Sequence, residues 1–467
     1  MTEDVGSASA GTNTTPGTGR TAEEIGARID RLPVWGLRRR FFVVLGLTYL
    51  FAFYDLTAIG VNLGPMLADL GLPRFASAGP VAWGLVAYMV GAYGLGSLSD
   101  LAGRRVALRL SIAVLAVGSV LTAFSWNLAS LTVFRVVTGL GIGALISLAA
   151  TITGEFAGRA ARGRAVSTNA LWGAVGLVIT PLIGLGLLPF AHVGWRLLFG
   201  LGGLSALLLV LCVDATMPES PRWLAANGRT EEAGRIVASM EARARQRYGR
   251  ELPEPEPVRP TGGAGADRFP TLRLFSATLL PRLVLVVVFW VLWYLWIYGQ
   301  LSYGPTILSE MGLSVPQGLV ASAIGYLGFV AGGLVAPWLI ERVERKYIVA
   351  GGALVAALGF VLLAYATPAT AVFGVLVVGF GNFVGVSSGY TYTAEIFPTR
   401  ARTSAVALGD GVGHLGGAAT PLLVLPLLAA AGPRGTYWAL AATAAASGLV
   451  IMAGIRTRRR SLADLTD

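Results

Sequence analysis

The sequence predicts an all-α membrane protein, with twelve transmembrane helices arranged as two pseudo-symmetric six-helix bundles, on three observations. The 467 residues are 54% hydrophobic and only 13% charged, which leaves too few polar side chains to coat a soluble globule of that size. About twelve apolar stretches approach the ~20 residues needed to cross a hydrocarbon core of ~30 Å. Features of the first half also return about 240 residues later. The acid four residues before a basic pair, Asp100 before Arg104 and Arg105, is echoed by Glu341 before Arg345 and Lys346. Glu155 and Arg162, seven apart, are echoed by Glu395 and Arg402, also seven apart.

Residues 1–36 include the run Gly11 to Gly19 of glycine, threonine, asparagine and proline, and contain no apolar run. They read as a disordered cytoplasmic tail that lacks the apolar core of a signal peptide. Within 37–216, apolar stretches near 41–67, 80–98, 106–125, 129–155, 166–190 and 194–214 make the first bundle. Residues 217–278 are the one long polar segment, with a charged helical piece near Glu231–Arg250 followed by Pro253, Pro255, Pro257 and Pro260; they read as a cytoplasmic linker. Within 279–456, stretches near 279–309, 317–340, 348–366, 369–395, 403–430 and 435–455 make the second bundle, and 457–467 form a cytoplasmic tail.

Arginine sets the orientation, because positive residues are retained in short cytoplasmic loops. With both termini cytoplasmic, the outer loops hold only Arg74, Arg196 and Arg434, and Arg135 falls inside a helix. The net charge of +11 is then a topology signal spread over many loops, not a nucleic-acid patch. Lys346 stands alone against 35 arginines, a usage that points to a GC-rich bacterial gene and so to the bacterial inner membrane. The single cysteine, Cys212, permits no intramolecular disulfide. With His192 and His414 the only histidines, no metal cluster, cofactor or catalytic constellation is expected, and the chain does not read as an enzyme. The expected partners are a small-molecule substrate, protons and the lipid bilayer, with the chain working as a monomer.

Four motifs carry a family resemblance: the loop Gly96 to Arg105, the run Arg135-x-x-x-Gly139-x-Gly141-x-Gly143, the segment Pro218-Glu219-Ser220-Pro221-Arg222-Trp223, and Tyr392 to Thr399 before Arg402. Together they resemble the major facilitator superfamily, in its sugar-porter, organic-ion and metabolite:proton-symporter branch. The resemblance covers roughly residues 37–456 and implies a secondary transporter whose bundles rock around a central site by alternating access. It also implies cytoplasmic gates at Asp100, Gly103, Arg104, Arg105, Glu155 and Arg162, and at Glu341, Arg345, Glu395 and Arg402. Leu101 stands where the family carries a basic residue, and Glu344 where the second loop would have glycine. The fourth-span glycines could be mistaken for a phosphate loop, but they follow no strand and precede no Lys-Ser/Thr, so they read as close-packing positions.

Ionisable groups inside spans are costly and face a partner or a cavity. Asp55 aligns near Leu295 of the second half and Arg135 near Val375, so neither has a symmetric counterpart. At ~1.5 Å per residue, Asp55 lies ~22 Å from the inner face and Arg135 ~8 Å from the outer one, the same depth in a core of ~30 Å. A salt bridge is therefore expected. Proton-coupled relatives pair a first-span aspartate with this fourth-span arginine, and the resemblance implies proton coupling here; a permanent structural ion pair is the alternative reading. Asp410 and His414, four apart on the eleventh span, form a second candidate titrating pair, with a packing histidine as the alternative.

The seventh span carries Trp290, Trp293, Tyr294, Trp296, Tyr298, Gln300 and Tyr303, an aromatic set able to stack on a ring or to anchor a helix at the interface. The paired seventh-span glutamines of sugar porters are absent, which favours an organic acid or aromatic metabolite. Trp172, Gln300, Tyr303 and Asn382 are the candidate substrate contacts. The expected activity is proton symport of a small organic solute. A sugar porter, a facilitator or an exporter on the same fold, and a non-transporting sensor, remain as alternatives.

Overall fold

A computed structural model describes residues 22–159, 161–255, 274–398 and 401–457, and among them every regular element is helical. α1 (Ala22–Asp30) precedes the first span. The first six spans are α2 (Arg39–Asp69), α3 (Ala78–Ala102), α4 (Arg104–Ala123), α5 (Leu128–Phe156), α6 (Arg162–Leu187) and α7 (Ala191–Thr216). Two further helices, α8 (Pro221–Ala226) and α9 (Thr230–Tyr248), follow at what is termed here the linker end. In the second half come α10 (Leu280–Glu310), then α11 (Val315–Gly325) and α12 (Leu327–Arg342), one span broken at Tyr326, then α13 (Arg345–Ala364), α14 (Ala371–Glu395) and α15 (Arg402–Met452). α15 turns at Gly432, whose φ of +68° only glycine adopts freely, and so supplies the last two of the twelve spans.

Local chemistry sets the helix ends. Asn127 and Ser130 form a reciprocal cap on α5, and Ser314 and Gln317 do the same on α11. Large apolar side chains such as Leu208, Leu211, Leu334, Phe373, Leu422 and Leu449 stand exposed on the spans, as a lipid-facing surface requires.

Glycine fixes how closely the spans pack. A Cβ on Gly139 or Gly143 would overlap backbone oxygens of α3, at Gly84 and Tyr88, and one on Gly141 would strike Leu115 of α4. The fourth-span glycines are thus packing positions where helix backbones touch. The second half repeats the device: Gly328 of α12 meets the Leu376 oxygen of α14, and Gly352 of α13 meets the Gly381 oxygen. Between the halves, Gly60 of α2 abuts the Leu301 oxygen of α10.

The tail expected to be disordered over 1–36 is helical from Ala22; residues 1–21 lie outside the described residues. Ile25 and Ile29, four apart, are buried, and Gly36 sits against Met240 of α9. Two apolar side chains on one face are enough when a partner is already folded, which is why so short a pattern escaped the sequence reading. Within the expected linker, α9 covers most of the charged piece near Glu231–Arg250, and residues 256–273 lie outside the described residues. α1 is pinned by Arg28 and Arg31 to Glu241, each at 2.6 Å, while Asp30 accepts from Arg162 at 2.6 Å and Arg222 at 2.7 Å.

Burial pushes the Glu241 carboxyl up, but hydrogen bonds and charge from Arg28 and Arg31 outweigh it, leaving it below the ordinary glutamate value. A lowered folded-state pKa contributes stability that is present above the ordinary value and lost as pH falls through the lowered one. Glu241→Gln should mimic that loss at neutral pH, raising tryptic cleavage after Arg28 and Arg31 about tenfold. Unchanged cleavage would show that apolar packing alone holds α1.

Candidate functional site

α2 and α5 bring Asp55 and Arg135 together at the depth their positions in the spans require. Arg135 Nη1 donates to Asp55 Oδ2 at 2.7 Å, with side chains 6% and 2% exposed. Ser119 of α4 lies 2.8 Å from Asp55 Oδ1 and 3.1 Å from the carbonyl oxygen of Phe199 on α7. The Arg135 guanidinium stands 5.4 Å from the centre of the Phe199 ring, and its Nε is buried without a protein partner. Desolvating two such charges costs several kcal/mol per ion unless geometry and further hydrogen bonds repay it, and Ser119 supplies one of those bonds. In the second half, Val375 is a buried apolar residue, so the charge pair belongs to the first half alone.

A cavity of about 20 Å³ opens beside Arg135, between α2, α3, α5 and α10, lined among others by Gly84, Tyr88, Gly139, Tyr298 and Ser302. It is large enough for one water.

The second candidate pair stands beside Tyr88 and Tyr298, which line that cavity. The Asp410 carboxylate accepts from the hydroxyls of Tyr294 and Tyr390, and its Oδ1 is 3.9 Å from His414 Nδ1, too far for a hydrogen bond. His414 instead donates Nδ1–H to the Asp410 carbonyl oxygen at 2.8 Å. The i,i+4 helical geometry brings the ring under the backbone carbonyl, while the tyrosines claim the carboxylate. The His414 ring is sandwiched between Tyr88 and Tyr294, each 3.9 Å away between centroids. Tyr88 belongs to the first half and Tyr294 to the second, so the stack bridges them. Tyr88 and Tyr390 carry no sequence signal for this role, because the contact exists only once three helices meet.

The residues expected to form gates lie at the linker end, where Asp100 and Arg104 pair as expected and others take different partners. Arg104 binds Asp100 at 3.0 Å and Glu155 at 2.9 Å. Arg162, expected opposite Glu155, bonds Asp30 and the Gly154 carbonyl instead. Arg105 joins Arg109 on Asp214. Gly103 has φ +98°, and Glu219 of the Pro218–Trp223 segment caps the start of α4, accepting from the backbone N–H of Arg104 at 2.8 Å.

The second half does not copy this arrangement. Without a glycine, Val343 and Glu344 both take extended conformations. Glu341 is left exposed, and Arg345 turns to Glu395 at 3.3 Å. Arg402 opens α15 just after Ala401, and residues 399 and 400 lie outside the described ones.

The four candidate substrate contacts are not gathered into one pocket. Trp172 is half-buried on α6 against Gly46 of α2. Asn382 Oδ1 is taken by Trp293 Nε1 at 3.0 Å. Tyr303 meets Ser77 across the halves at 3.4 Å, near the end opposite the linker, where Arg74 also pairs with Glu310. Gln300 is buried with neither amide atom partnered. The halves thus touch at the end opposite the linker.

The family described as "Sugar (and other) transporter" matches residues 75–464. The niacin transporter NiaP of Acinetobacter baylyi is 28% identical over 412 residues, 86% of this chain and 90% of that protein. The 4-hydroxybenzoate transporter PcaK of the same organism is 29% identical over 365 residues, 78% of this chain and 79% of that protein. The inward-open structure of the xylose transporter XylE from E. coli aligns with a TM-score of 0.68 at 19% identity, covering 91% of this chain and 98% of that one. That likeness establishes the fold.

Proposed function

The chain belongs to the sugar (and other) transporter family of the major facilitator superfamily, and on that premise we propose that it is a proton-coupled symporter of a small aromatic carboxylic acid. The observation that carries the reading is the buried Asp55–Arg135 pair, placed in one half only, with a partnerless Arg135 Nε and a water-sized cavity that Arg135 helps to line. A proton on Asp55 cancels its charge and weakens its hold on Arg135, which then can bind a carboxylate. Aromatic faces at Tyr88, Tyr294, Tyr298 and Trp290 supply stacking surface for the ring. Niacin and 4-hydroxybenzoate, which name two relatives, are both single aromatic rings bearing a carboxylate.

The protein works as a monomer in the inner membrane, with the linker end cytoplasmic, as the arginine distribution favours. Arg74–Glu310 and Ser77–Tyr303 join the halves at the outer end, Tyr93 and the Ala407 carbonyl oxygen join them toward the linker end, and the Arg104 and Arg345 clusters are the gates that re-form partners when the bundles rock. A sugar is the second reading, favoured by the unpartnered amide of Gln300.

The test is uptake of labelled niacin, 4-hydroxybenzoate and xylose into proteoliposomes, with and without an inward pH gradient, against protein-free liposomes that report diffusion of the weak acids. An aromatic acid accumulating only with protein and gradient supports the reading. Equilibration that ignores the gradient makes the protein a facilitator, and uptake of xylose alone makes it a sugar porter.

A further inference from the structure

Ser119 is fully buried and has one hydroxyl hydrogen, yet two acceptors stand within reach: Asp55 Oδ1 at 2.8 Å and the Phe199 carbonyl oxygen at 3.1 Å. A single hydrogen serves only one of them at a time. The Phe199 oxygen is reachable because Gly203, one turn on, lets α7 lie directly on Ala116 and Val120 of α4. It is also an acceptor with a lone pair left over from its helical bond.

We propose that Ser119 is a positioning residue that lets Asp55 hold its proton, a two-way hydroxyl whose orientation follows the charge of the carboxyl; the proposal rests on the proton-coupled reading above. With Asp55 ionised, Ser119 donates to Oδ1 while Arg135 donates to Oδ2, and the carboxylate is bonded on both oxygens. When a proton adds to Oδ1, the new O–H donates to the Ser119 oxygen, and the Ser119 hydrogen turns to the Phe199 carbonyl. One proton enters, one hydroxyl rotates, and no heavy atom need move. Neither protonation state leaves a buried donor or acceptor unmatched at this carboxyl oxygen, which is the condition for a group deep in the membrane to titrate without disrupting its surroundings. Oδ2 keeps its place beside Arg135 but presents a neutral oxygen, so the guanidinium is loosened while the acid is held. Arg135 and Ser119 thereby divide the work: the arginine responds to the charge, and the serine makes both charge states habitable.

Substitution by alanine removes both roles at once, but unequally, because a hydrogen bond to an ionised group is roughly twice as strong as a neutral one. The ionised form loses more. Half-maximal gradient-driven uptake of 4-hydroxybenzoate by Ser119→Ala in proteoliposomes should therefore move toward higher pH by about one unit, a tenfold change in proton affinity. Downhill exchange of the same solute is measured over the same pH range, so that a general loss of transport is read apart from the shift. Ser119→Thr keeps the hydroxyl and should restore the original profile.

A pH profile for Ser119→Ala superimposable on the parent overturns the proposal. So does a uniform drop at every pH without a shift, since that marks a merely structural contact. Asp55→Asn is run in parallel: if it retains gradient-driven uptake, the proton-coupled reading itself fails, whatever Ser119→Ala does.

Discussion

Asp55→Asn should abolish accumulation and spare exchange. Asparagine keeps the shape of the carboxyl and can still offer an oxygen to Arg135 Nη1, so the site imitates the protonated state permanently. With a gradient of one pH unit, the parent should concentrate a co-transported acid up to about tenfold, and the variant should reach a ratio of one. Counterflow of labelled against unlabelled solute should continue, because alternation of the loaded carrier needs no ionised Asp55. Uptake against a gradient by the variant would assign the pair a purely structural role. Asp55→Leu is the harsher change: it leaves the Arg135 charge buried and unpaired, a loss of about 3–5 kcal/mol, and is expected to lower the yield of folded protein.

The largest effect on folding should come from Gly143→Leu. Even the first side-chain carbon would overlap the Tyr88 carbonyl oxygen, so α3 and α5 would have to separate along the interface that positions Arg135. Overpacking against backbone has no flexible neighbour to absorb it, and a loss above about 4 kcal/mol is expected. Purification should yield aggregated protein with no monodisperse peak. Gly186→Ala, at a position with open space around it, is the matched control and should behave as the parent. A folded, active Gly143→Leu would mean that α3 and α5 tolerate a wider spacing than the glycine runs imply.

The twelve spans, their order and the two-bundle architecture were legible because the bilayer imposes length and apolarity on every crossing, a signal that survives without tertiary information. The Asp55–Arg135 contact was legible for a related reason: two costly charges at one depth have few other solutions. What escaped was everything decided by more than two helices. Asp410 and His414 do come within 3.9 Å of each other, but Tyr294 and Tyr390, which arrive from α10 and α14 and bond the carboxylate, left no trace in the sequence. Glu155 was expected opposite Arg162, yet Arg104 and Asp30 intervene. The helix at Ala22–Asp30 was hidden because its burial depends on α8 and α9. The repeat is imperfect where the sequence already departs from it: Glu344 stands in place of a glycine before α13, and there Glu341 is exposed while Arg345 pairs with Glu395.

The Asp55–Arg135 pair is electrically silent as a unit, one negative and one positive charge side by side. A carrier that returns empty therefore moves no net charge through this pair, and a carrier holding one extra proton moves one. If the cargo is a monoanion, its charge cancels that of the proton and the loaded step is neutral as well. Membrane voltage then does no work on the cycle, and only the difference in pH drives it. A neutral cargo leaves the proton charge uncancelled, and each 100 mV would add ~2.3 kcal/mol of drive. Current recorded from protein-bearing membranes on adding a solute thus reads out the charge of the cargo: silence for an aromatic carboxylate, a transient inward current for a sugar.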